Sequence, residues 1–546
     1  MVDNKTIAQH FALLGKLMEL HEENPFKYNA YNNAYNILRK FEDSLTDMSE
    51  SQLSEIPGVG KAIATKIKEI ISTGSLSLLE KFMNITPEGV IELLNIRGLG
   101  PKKVRQLWKK LQITSPGELL YACEENRLLE LKGFGRKSQD SIRELVDFYL
   151  KNRGQFLFSS VEAPANQLVS FLKTKYPCDL ISLTGDIRRL MPVVSGIDIL
   201  MTTNPELENI DGIIKDDYGN WTWQGTKLNI LTCAKKDFYK QLFLSSGSKQ
   251  FLETTADWDL DNTSDEETIF IKNNAAYIYP EYRESKKSVE EARTNSLPIL
   301  IQVSDIKGIV HNHSNYSDGL HTLGEMATHT RAQGFEYLVI SDHSKSAYYA
   351  NGLQEDRVEM QWREIEELNK TLEPFKIFKG IECDILNDGS LDYSDDFLMG
   401  FDVIIASIHS NLKMEKTHAM DRLLTAVRHP NVHILGHPTG RLLLARAGYD
   451  VDHKLLIDEC ARYKVAIELN ANPQRLDLHW TWIPYAIEKG VYIAINPDAH
   501  SKNGIHHIKY GINVARKAGL TSKNCLNCMD KTLFQRWIID KKNISV

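Results

Sequence analysis

The segment HNHSNYSDG at 311–319 sets His311 and His313 one residue apart, with Asp318 five positions further on and a glycine after it. If Val310 closes a strand, the period of two along a strand turns both imidazoles to one face, where they can share a partner. Comparable endings recur down the chain: His343 in ISDHS, Glu382 in GIECDI, His409 in SIHS, His437 in GHP, Glu468 and Asn470 in AIELNAN, Asp498 and His500 in PDAHS. Of 17 histidines only His10 and His21 precede residue 306, so 17 − 2 = 15 lie in the C-terminal part. One such histidine is most often a hydrogen-bonded core or surface residue; seven coordinated strand endings are poorly explained that way. Imidazole and carboxylate with no thiolate suit zinc, manganese or iron, and there are too many ligands here for one ion, which implies two or three. A carboxylate such as Glu382 can bridge two ions. Hydroxide held between them attacks at neutral pH, and the ions neutralise a phosphate in flight, which is the chemistry of phosphoester hydrolysis.

The elements that must position these residues are legible in the pattern. Short apolar runs (GIVHNHS, EYLVISDHS, FKIFKGIECDI, FDVIIASIHS, VHILGHP, VAIELNAN, VYIAINPDAHS) alternate with amphipathic helical runs such as TLGEMATHTRAQG and RVEMQWREIEELNK. Such alternation predicts parallel strands with crossover helices. In a closed parallel barrel the strand ends meet on one face, where active sites assemble.

The first 150 residues carry a different pattern, repeated three times: LSEIPGVGKAIATKIKEI from Leu53, LLNIRGLGPKKVRQLWKKL from Leu93 and LLELKGFGRKSQDSIREL from Leu128. Each joins an apolar helix end to glycine-apolar-glycine (Gly58 and Gly60, Gly98 and Gly100, Gly133 and Gly135) and then to a basic amphipathic helix. Paired glycines permit a tight turn, and the helix that follows offers unpaired N–H groups and a positive dipole end to an anion. Lys102, Lys103 and Arg136 stand next to those helix starts. A plain helical hairpin capped by glycine is the competing account of any one copy; three copies followed by basic residues point to DNA held by its phosphates.

Composition fits several soluble domains: 546 residues, 42% hydrophobic and 25% charged. The N-terminal segment lacks a small-residue cleavage site and no apolar run reaches membrane-spanning length, so a cytoplasmic protein without membrane contact is expected. Seven scattered cysteines argue against a disulfide framework, and Cys525 and Cys528 in CLNC read as reduced thiols before they read as half a zinc site. The net charge is −7, yet residues 98–111 hold five basic side chains and no acid, whereas 257–267 is strongly acidic. Local charge decides phosphate binding.

HNHSNYSDG, ISDHS, GIECDI, SIHS, GHP, AIELNAN and PDAHS, in this order, resemble the PHP (polymerase and histidinol phosphatase) family, which implies a distorted (β/α)7 barrel with a trinuclear metal centre over about 305–546. The resemblance carries the family's metal ligands onto His311, His313, Asp318, His343, Glu382, His409, His437, Asp498 and His500. Asp342 and Asp384, beside ligands, are expected to accept imidazole N–H groups. LTGDIRRLMPVVSGIDILMTT at 183–203 is similar to the nucleotidyltransferase signature of family X DNA polymerases. With hairpins before it and the barrel after it, this is the domain order of bacterial family X polymerases that carry a PHP domain. The expected fold is therefore multidomain: an all-α region comprising an 8-kDa-like helix-hairpin-helix domain at 1–80 and a fingers-like domain with two such motifs at 81–152; an α+β palm with a shortened thumb at 153–299; and the α/β PHP barrel at 305–546.

The departures from the family pattern matter as much as the match. Asp186 stands where a phosphate-contacting serine is expected, Gly196 replaces the first metal aspartate, Asp198 remains, and Asn229 aligns with the third. A neutral amide is a poor substitute for a carboxylate on magnesium. The resemblance also places Lys66 where the family's lysine attacks an abasic sugar, against the competing reading of a solvated lysine near phosphate. The expectation is a monomeric, DNA-binding phosphoesterase that uses Mn2+ or Zn2+, with iron also open. It would act without sequence preference on gapped or 3'-ended DNA as a 3'-5' exonuclease or end-processing repair enzyme, with Glu382, His343 and His409 at its catalytic heart and polymerisation lost. The rivals are a small-molecule phosphatase of the histidinol phosphate type, a gap-filling polymerase with a shifted metal site, and a binding scaffold with a vestigial centre.

Overall fold

The computed structural model describes residues 3–124, 127–131, 133–216 and 219–542, which divide into two compact units, Met1–Arg153 and Gly154–Val546. The first is helical. Its opening helix, Asn4–Leu20, buries Ile7, Phe11, Leu14 and Met18, a spacing that lines one helix face. Polar ties hold that helix and its C-terminal end to later parts of the unit: Lys16 Nζ donates to Leu94 O at 3.1 Å, His21 Nε2 lies 2.7 Å from Thr86 Oγ1, and Arg105 pairs with Glu22 at 2.7 Å. The three helices that follow the paired glycines are α1 (Lys61–Thr73), α2 (Pro101–Leu111) and α3 (Arg136–Asn152).

The second unit begins with a five-stranded sheet of β1 (Ile181–Leu183), β2 (Ile197–Met201), β3 (Ile213–Lys215), β4 (Trp221–Trp223) and β5 (Thr226–Thr232), in the order β1-β2-β5-β4-β3. Only the β2–β5 pair is parallel, and its register sets Asp198 opposite Asn229. Short helices between Phe238 and Arg293 follow, around a core that includes Phe243, Phe251, Trp258 and Phe270.

The barrel strands are β6 (Gly308–Asn312), β7 (Tyr337–Ile340), β8 (Lys376–Asp384), β9 (Val403–Ser407), β10 (Ile434–Leu435), β11 (Ala466–Asn470) and β12 (Ile493–Asn496). They pair in sequence order and all in parallel, forming a nearly closed barrel. All residues of β6, β7 and β9–β12 are buried, as expected of strands covered on both faces. Ile309, Leu338, Ile404 and Ile467 belong to one apolar cluster, which includes residues of the crossover helices. Val310, Val339, Ile405 and Ile434 belong to a second, with Phe534 and Ile538 of the helix Lys531–Lys542.

The simple alternation expected at 311–313 does not hold. The strand runs on to Asn312, its register slips between Ile309 and Asn312, and His311 has φ 65°. An extra residue in a strand re-aims the side chains beyond it, and this bulge, together with His311's unusual backbone, aims both histidines at the pocket.

Closure between β6 and β12 is made by side-chain and loop contacts. His313 N donates to Ala499 O at 2.8 Å. Asn527, fully buried in the CLNC segment, accepts from Ile495 N at 2.8 Å and donates to Gly308 O at 3.3 Å, while its carbonyl accepts from Lys307 N at 2.8 Å. The segment read as a pair of thiols thus works through the asparagine between them. The helix α4 (Ile508–Lys517) faces the start of the unit, with Lys509 2.7 Å from Glu162, Arg516 2.6 Å from Glu281 and Lys517 2.6 Å from Glu284.

Replacing Asn527 by alanine strands the Ile495 N–H and the Gly308 carbonyl in the core. The expected cost is about 1–3 kcal/mol, read as a lowered midpoint in thermal unfolding followed by circular dichroism. An unchanged midpoint would show that the seam closes without it.

Candidate metal centre and nucleic-acid interface

Each strand end delivers its polar residue to one buried pocket, centred on Glu382 at the end of β8. Glu382 Oε1 lies 3.2 Å from His311 Nε2, 3.1 Å from His409 Nε2 and 3.0 Å from His437 Nε2. Its Oε2 lies 3.0 Å from His343 Nδ1 and 3.6 Å from His313 Nε2. Asp498 Oδ1 sits 3.1 Å from His313 Nε2, and Asp318 Oδ1 is 3.3 Å from His500 Nε2 and 3.7 Å from His343 Nε2. Among the described residues, donor atoms converge within 4.8 Å in three overlapping groups: His313, Asp318, His343 and His500; His311, His313 and Glu382; His343, Glu382 and His409. His437 and Asp498 fall outside these groups but flank them through the contacts just given.

Several of these buried atoms, His311 Nε2, His313 Nδ1 and Glu382 Oε2 among them, meet their neighbours without hydrogen-bond geometry. Buried polar atoms left in that state ask for another partner. A set of imidazole nitrogens and carboxylate oxygens with shared members fits two or three divalent cations.

The electrostatics agree with that fit. Burial favours a neutral Glu382, yet His409, His311 and His343 outweigh it and hold the carboxyl well below its usual range. Burial likewise opposes a charged His409, but Glu382 and Asp384 raise it to about 10. His343 goes the other way, to about 3, because burial, with the charges of His313 and His409, exceeds the pull of Glu382. Burial works against an ionised Asp318 too, and the His500 hydrogen bond and nearby imidazoles hold it at about 2. The carboxylates demand positive charge from this pocket, and divalent cations supply it while leaving the imidazoles neutral.

Behind the candidate ligand atoms, a further set of acids aims the rings. Glu468 Oε1 accepts from His311 Nδ1 at 2.5 Å, while its Oε2 accepts from His437 N at 2.6 Å. Asp384 Oδ1 accepts from His409 Nδ1. The expectation for Asp342 is corrected: its oxygens take Ser314 N at 2.8 Å, Ser314 Oγ at 2.6 Å, Ser317 Oγ at 2.5 Å and Gln361 Nε2 at 2.6 Å, so it builds the loop that carries Asp318 and contacts no imidazole in this way. Arg475, which the strand-end pattern does not single out because it follows β11 by five residues, brings Nε to 3.5 Å from Asp498 Oδ2. Asp498 has φ 50°, so two candidate ligands, His311 and Asp498, hold uncommon backbone.

The hairpin glycines divide their work. Gly58, Gly98 and Gly133 have φ of 84°, 86° and 93° and make the turn; Val59, Leu99 and Phe134 plug into the core. Gly60, Gly100 and Gly135 begin α1, α2 and α3 without a side-chain cap, and an added Cβ at any of them would meet nothing within 4 Å. Space is open beside these helix starts, where Lys102, Lys103 and Arg136 are exposed. Arg105, by contrast, is spent on Glu22. Lys66 is half-buried on α1, and its charge helps to lower Glu69.

In the five-stranded sheet, Asn229 Nδ2 donates to Asp198 Oδ1 at 2.8 Å. Burial, with the charge of Asp186, raises Asp198. A Cβ at Gly196 would lie 2.5 Å from Lys227 O, so a larger side chain requires the backbone to move. Arg189 is held by Asp186 at 2.5 Å and Glu284 at 2.9 Å, and Arg188 makes a two-pronged pair with Glu266 at 2.9 and 2.7 Å. Burial opposes an ionised Glu266, but Arg188 and Arg283 hold it at about 2.

Comparison with known proteins matches residues 2–76 to a helix-hairpin-helix domain, 90–144 to a SAM-like helix-hairpin-helix tandem and 310–472 to the PHP domain. The chain is 34% identical to the DNA polymerase/3'-5' exonuclease PolX of Bacillus subtilis (strain 168), covering 96% of this chain and 97% of that one. A probable phosphatase of Thermoanaerobacter sp. (strain X514) is 26% identical over 39% of this chain and 94% of its own length. A probable phosphatase of Caldicellulosiruptor saccharolyticus is 25% identical over 34% of this chain and 75% of its own.

Because Glu468 and Asp384 orient ligands, Glu468→Gln and Asp384→Asn should each weaken divalent-metal binding about 10–100-fold. Equilibrium dialysis with Mn2+ or Zn2+ measures this; wild-type affinity in both variants would remove the acids from the centre.

Proposed function

Since the chain belongs to the PolX family of bacterial family X DNA polymerases that carry a PHP domain, we propose that it is a DNA-binding, metal-dependent phosphoesterase that removes nucleotides from 3' ends. The observation that carries this reading is the convergence of seven strand ends on the pocket around Glu382, in a chain that also bears three hairpins with open, uncapped helix starts. The helix-hairpin-helix regions, 1–80 and 81–152, hold DNA by its phosphates. The palm and thumb at 153–299 support the barrel at 305–546, which does the chemistry.

In this proposal Glu382, with His311, His313, Asp318, His343, His409, His437, Asp498 and His500, would hold the cations. Divalent ions held there, Mn2+ or Zn2+, would supply a hydroxide nucleophile at neutral pH and charge to neutralise a phosphate. The chain's own part is orientation. Glu468 and Asp384 take the Nδ1 protons of His311 and His409, which turns the Nε2 lone pairs of both rings toward Glu382. The free N–H groups at Gly60, Gly100 and Gly135 hold phosphates without reading bases. The probable phosphatases match little more than a third of the chain, and in this proposal the hairpins are what commit the metal centre to DNA.

Polymerisation is lost in this reading. Asp198 is bonded to an amide, position 196 offers no carboxylate, and Arg189 is already neutralised by Asp186 and Glu284. A two-ion transfer needs carboxylates at those positions.

Replacing His343 or His409 by alanine should reduce release of nucleotides from an end-labelled oligonucleotide on the order of a thousandfold, with DNA binding retained in gel-shift assays. Undiminished release from both variants would reject the site.

A second assay follows primer extension across a short gap, with all four nucleotides and with Mg2+ or Mn2+, in a His343→Ala background so that degradation does not erase product. No extension is expected. Templated extension that disappears on adding Asp198→Ala would overturn the loss of polymerisation.

A further inference from the structure

The loop that follows β7 leaves the metal pocket at His343 and returns at Leu353, whose N–H donates to His343 O at 2.8 Å. At its tip a 3-10 turn, Tyr348–Ala350, holds the Tyr348 side chain 84% exposed. Exposed aromatic rings are ordinary where the backbone is loose, since the ring can fold back onto the surface. This backbone is not loose. Ser344 N donates to Glu382 O at 3.0 Å, Ser344 Oγ accepts from Asp384 N at 2.9 Å, Ser346 N donates to Asp392 at 2.6 Å, and Ser346 Oγ donates to Asp384 Oδ2 at 2.8 Å. The far side of the turn is closed by Asn351, at φ 55°. Its amide donates to Tyr316 O at 3.1 Å and to Ser317 O at 3.3 Å. Gly352 admits the fold: a Cβ there would lie 2.0 Å from Ser344 O.

Tyr348 is therefore stapled between the loops that carry His343 and Asp318. It is two residues from Ser346, which shares the Asp384 carboxylate with His409, so its Cα lies within about 7 Å of the Ser346 Cα. That roots an exposed ring beside the segment whose Ser346 shares Asp384 with His409, where a nucleotide whose phosphate enters the pocket would pass. Every nucleobase has a face that stacks on such a ring, whatever the sequence.

We infer that Tyr348 is the stacking platform for the base of the 3'-terminal nucleotide, an inference that rests on the nuclease reading above. The ring contributes specificity, because it favours a nucleotide over a simple phosphate ester at a centre whose metal chemistry acts on both. Because the backbone that carries it is already held, only the ring's own rotation has to be ordered on binding.

The test compares the full-length wild type with Tyr348→Ala and Tyr348→Phe, each first shown to carry the wild-type metal content. Two oligonucleotides serve as substrates, alike except that one ends in a 3'-terminal abasic tetrahydrofuran residue. On the normal oligonucleotide Tyr348→Ala should lose roughly ten- to hundredfold in kcat/KM, chiefly through KM, while Tyr348→Phe keeps the wild-type value. Wild type should lose a similar factor when the terminal base is removed, whereas Tyr348→Ala should process both ends at the same rate. If Tyr348→Ala matches wild type on the normal end, or still distinguishes the two ends as wild type does, the stacking role is overturned. If the wild type hydrolyses bis(p-nitrophenyl) phosphate but leaves both oligonucleotides intact, the nuclease reading itself fails and the stacking role with it.

Discussion

The carboxylate of Glu382 is the constraint from which the C-terminal half is built. It is almost completely buried, and five imidazoles approach it at 3.0–3.6 Å. A buried carboxylate is costly unless positive charge and hydrogen bonds surround it. Many groups can face one point only if the elements carrying them end together, and parallel strands closed into a barrel do that. The bulge in β6, the positive φ of His311 and Asp498, and the acids Glu468 and Asp384 behind the rings are local departures that this convergence requires.

Charge is handled by the same rule elsewhere in the unit, with a different outcome. Glu266 lies between Arg188 and Arg283, and Glu284 between Arg189 and Lys517 of the barrel. In a buried pair, removing one partner strands the other, and that loss exceeds what the pair contributes. The paired arginines of the nucleotidyltransferase-like motif therefore have a structural reason to remain although Gly196 and Asn229 stand where acids are expected. Lys517 also donates to the carbonyl of Arg189 at 2.9 Å, so this network joins the region of the five-stranded sheet to α4, downstream of the loop that carries His500. The five-stranded sheet is thus tied to the barrel through buried charge pairs.

The three hairpins show the opposite economy. Their glycines form turns and then leave helix starts uncapped and open, which offers backbone donors to a ligand from outside. In the barrel charge is buried and met from within, whereas the hairpins leave backbone donors of the kind that contacts phosphate rather than base.

Much of this was legible in the sequence because it depends on local periodicity. The apolar runs and the polar residues closing them mark all seven barrel strands, including β10, only two residues long, and the glycine pairs mark the three hairpins. Periodicity gives strand ends but not the directions of side chains beyond them. The placement of His311 and His313 on one face by simple alternation missed the bulge, since a bulge arises from pairing with β7 and leaves no mark in the strand's own residues. Asp342 and Asp384 have the same standing in sequence, each a neighbour of a candidate ligand. Only packing separates them, because Asp342 meets the serines of the Asp318 loop while Asp384 meets His409. Glu468 was visible as a strand end, yet its place behind His311 is set by a contact across 157 positions of chain, and Asn527 reaches Gly308 across 219. Residue types and spacing determined which chemistry this chain can hold; the closure of the barrel decided which atoms face one another, because those distances depend on contacts between residues far apart in the chain.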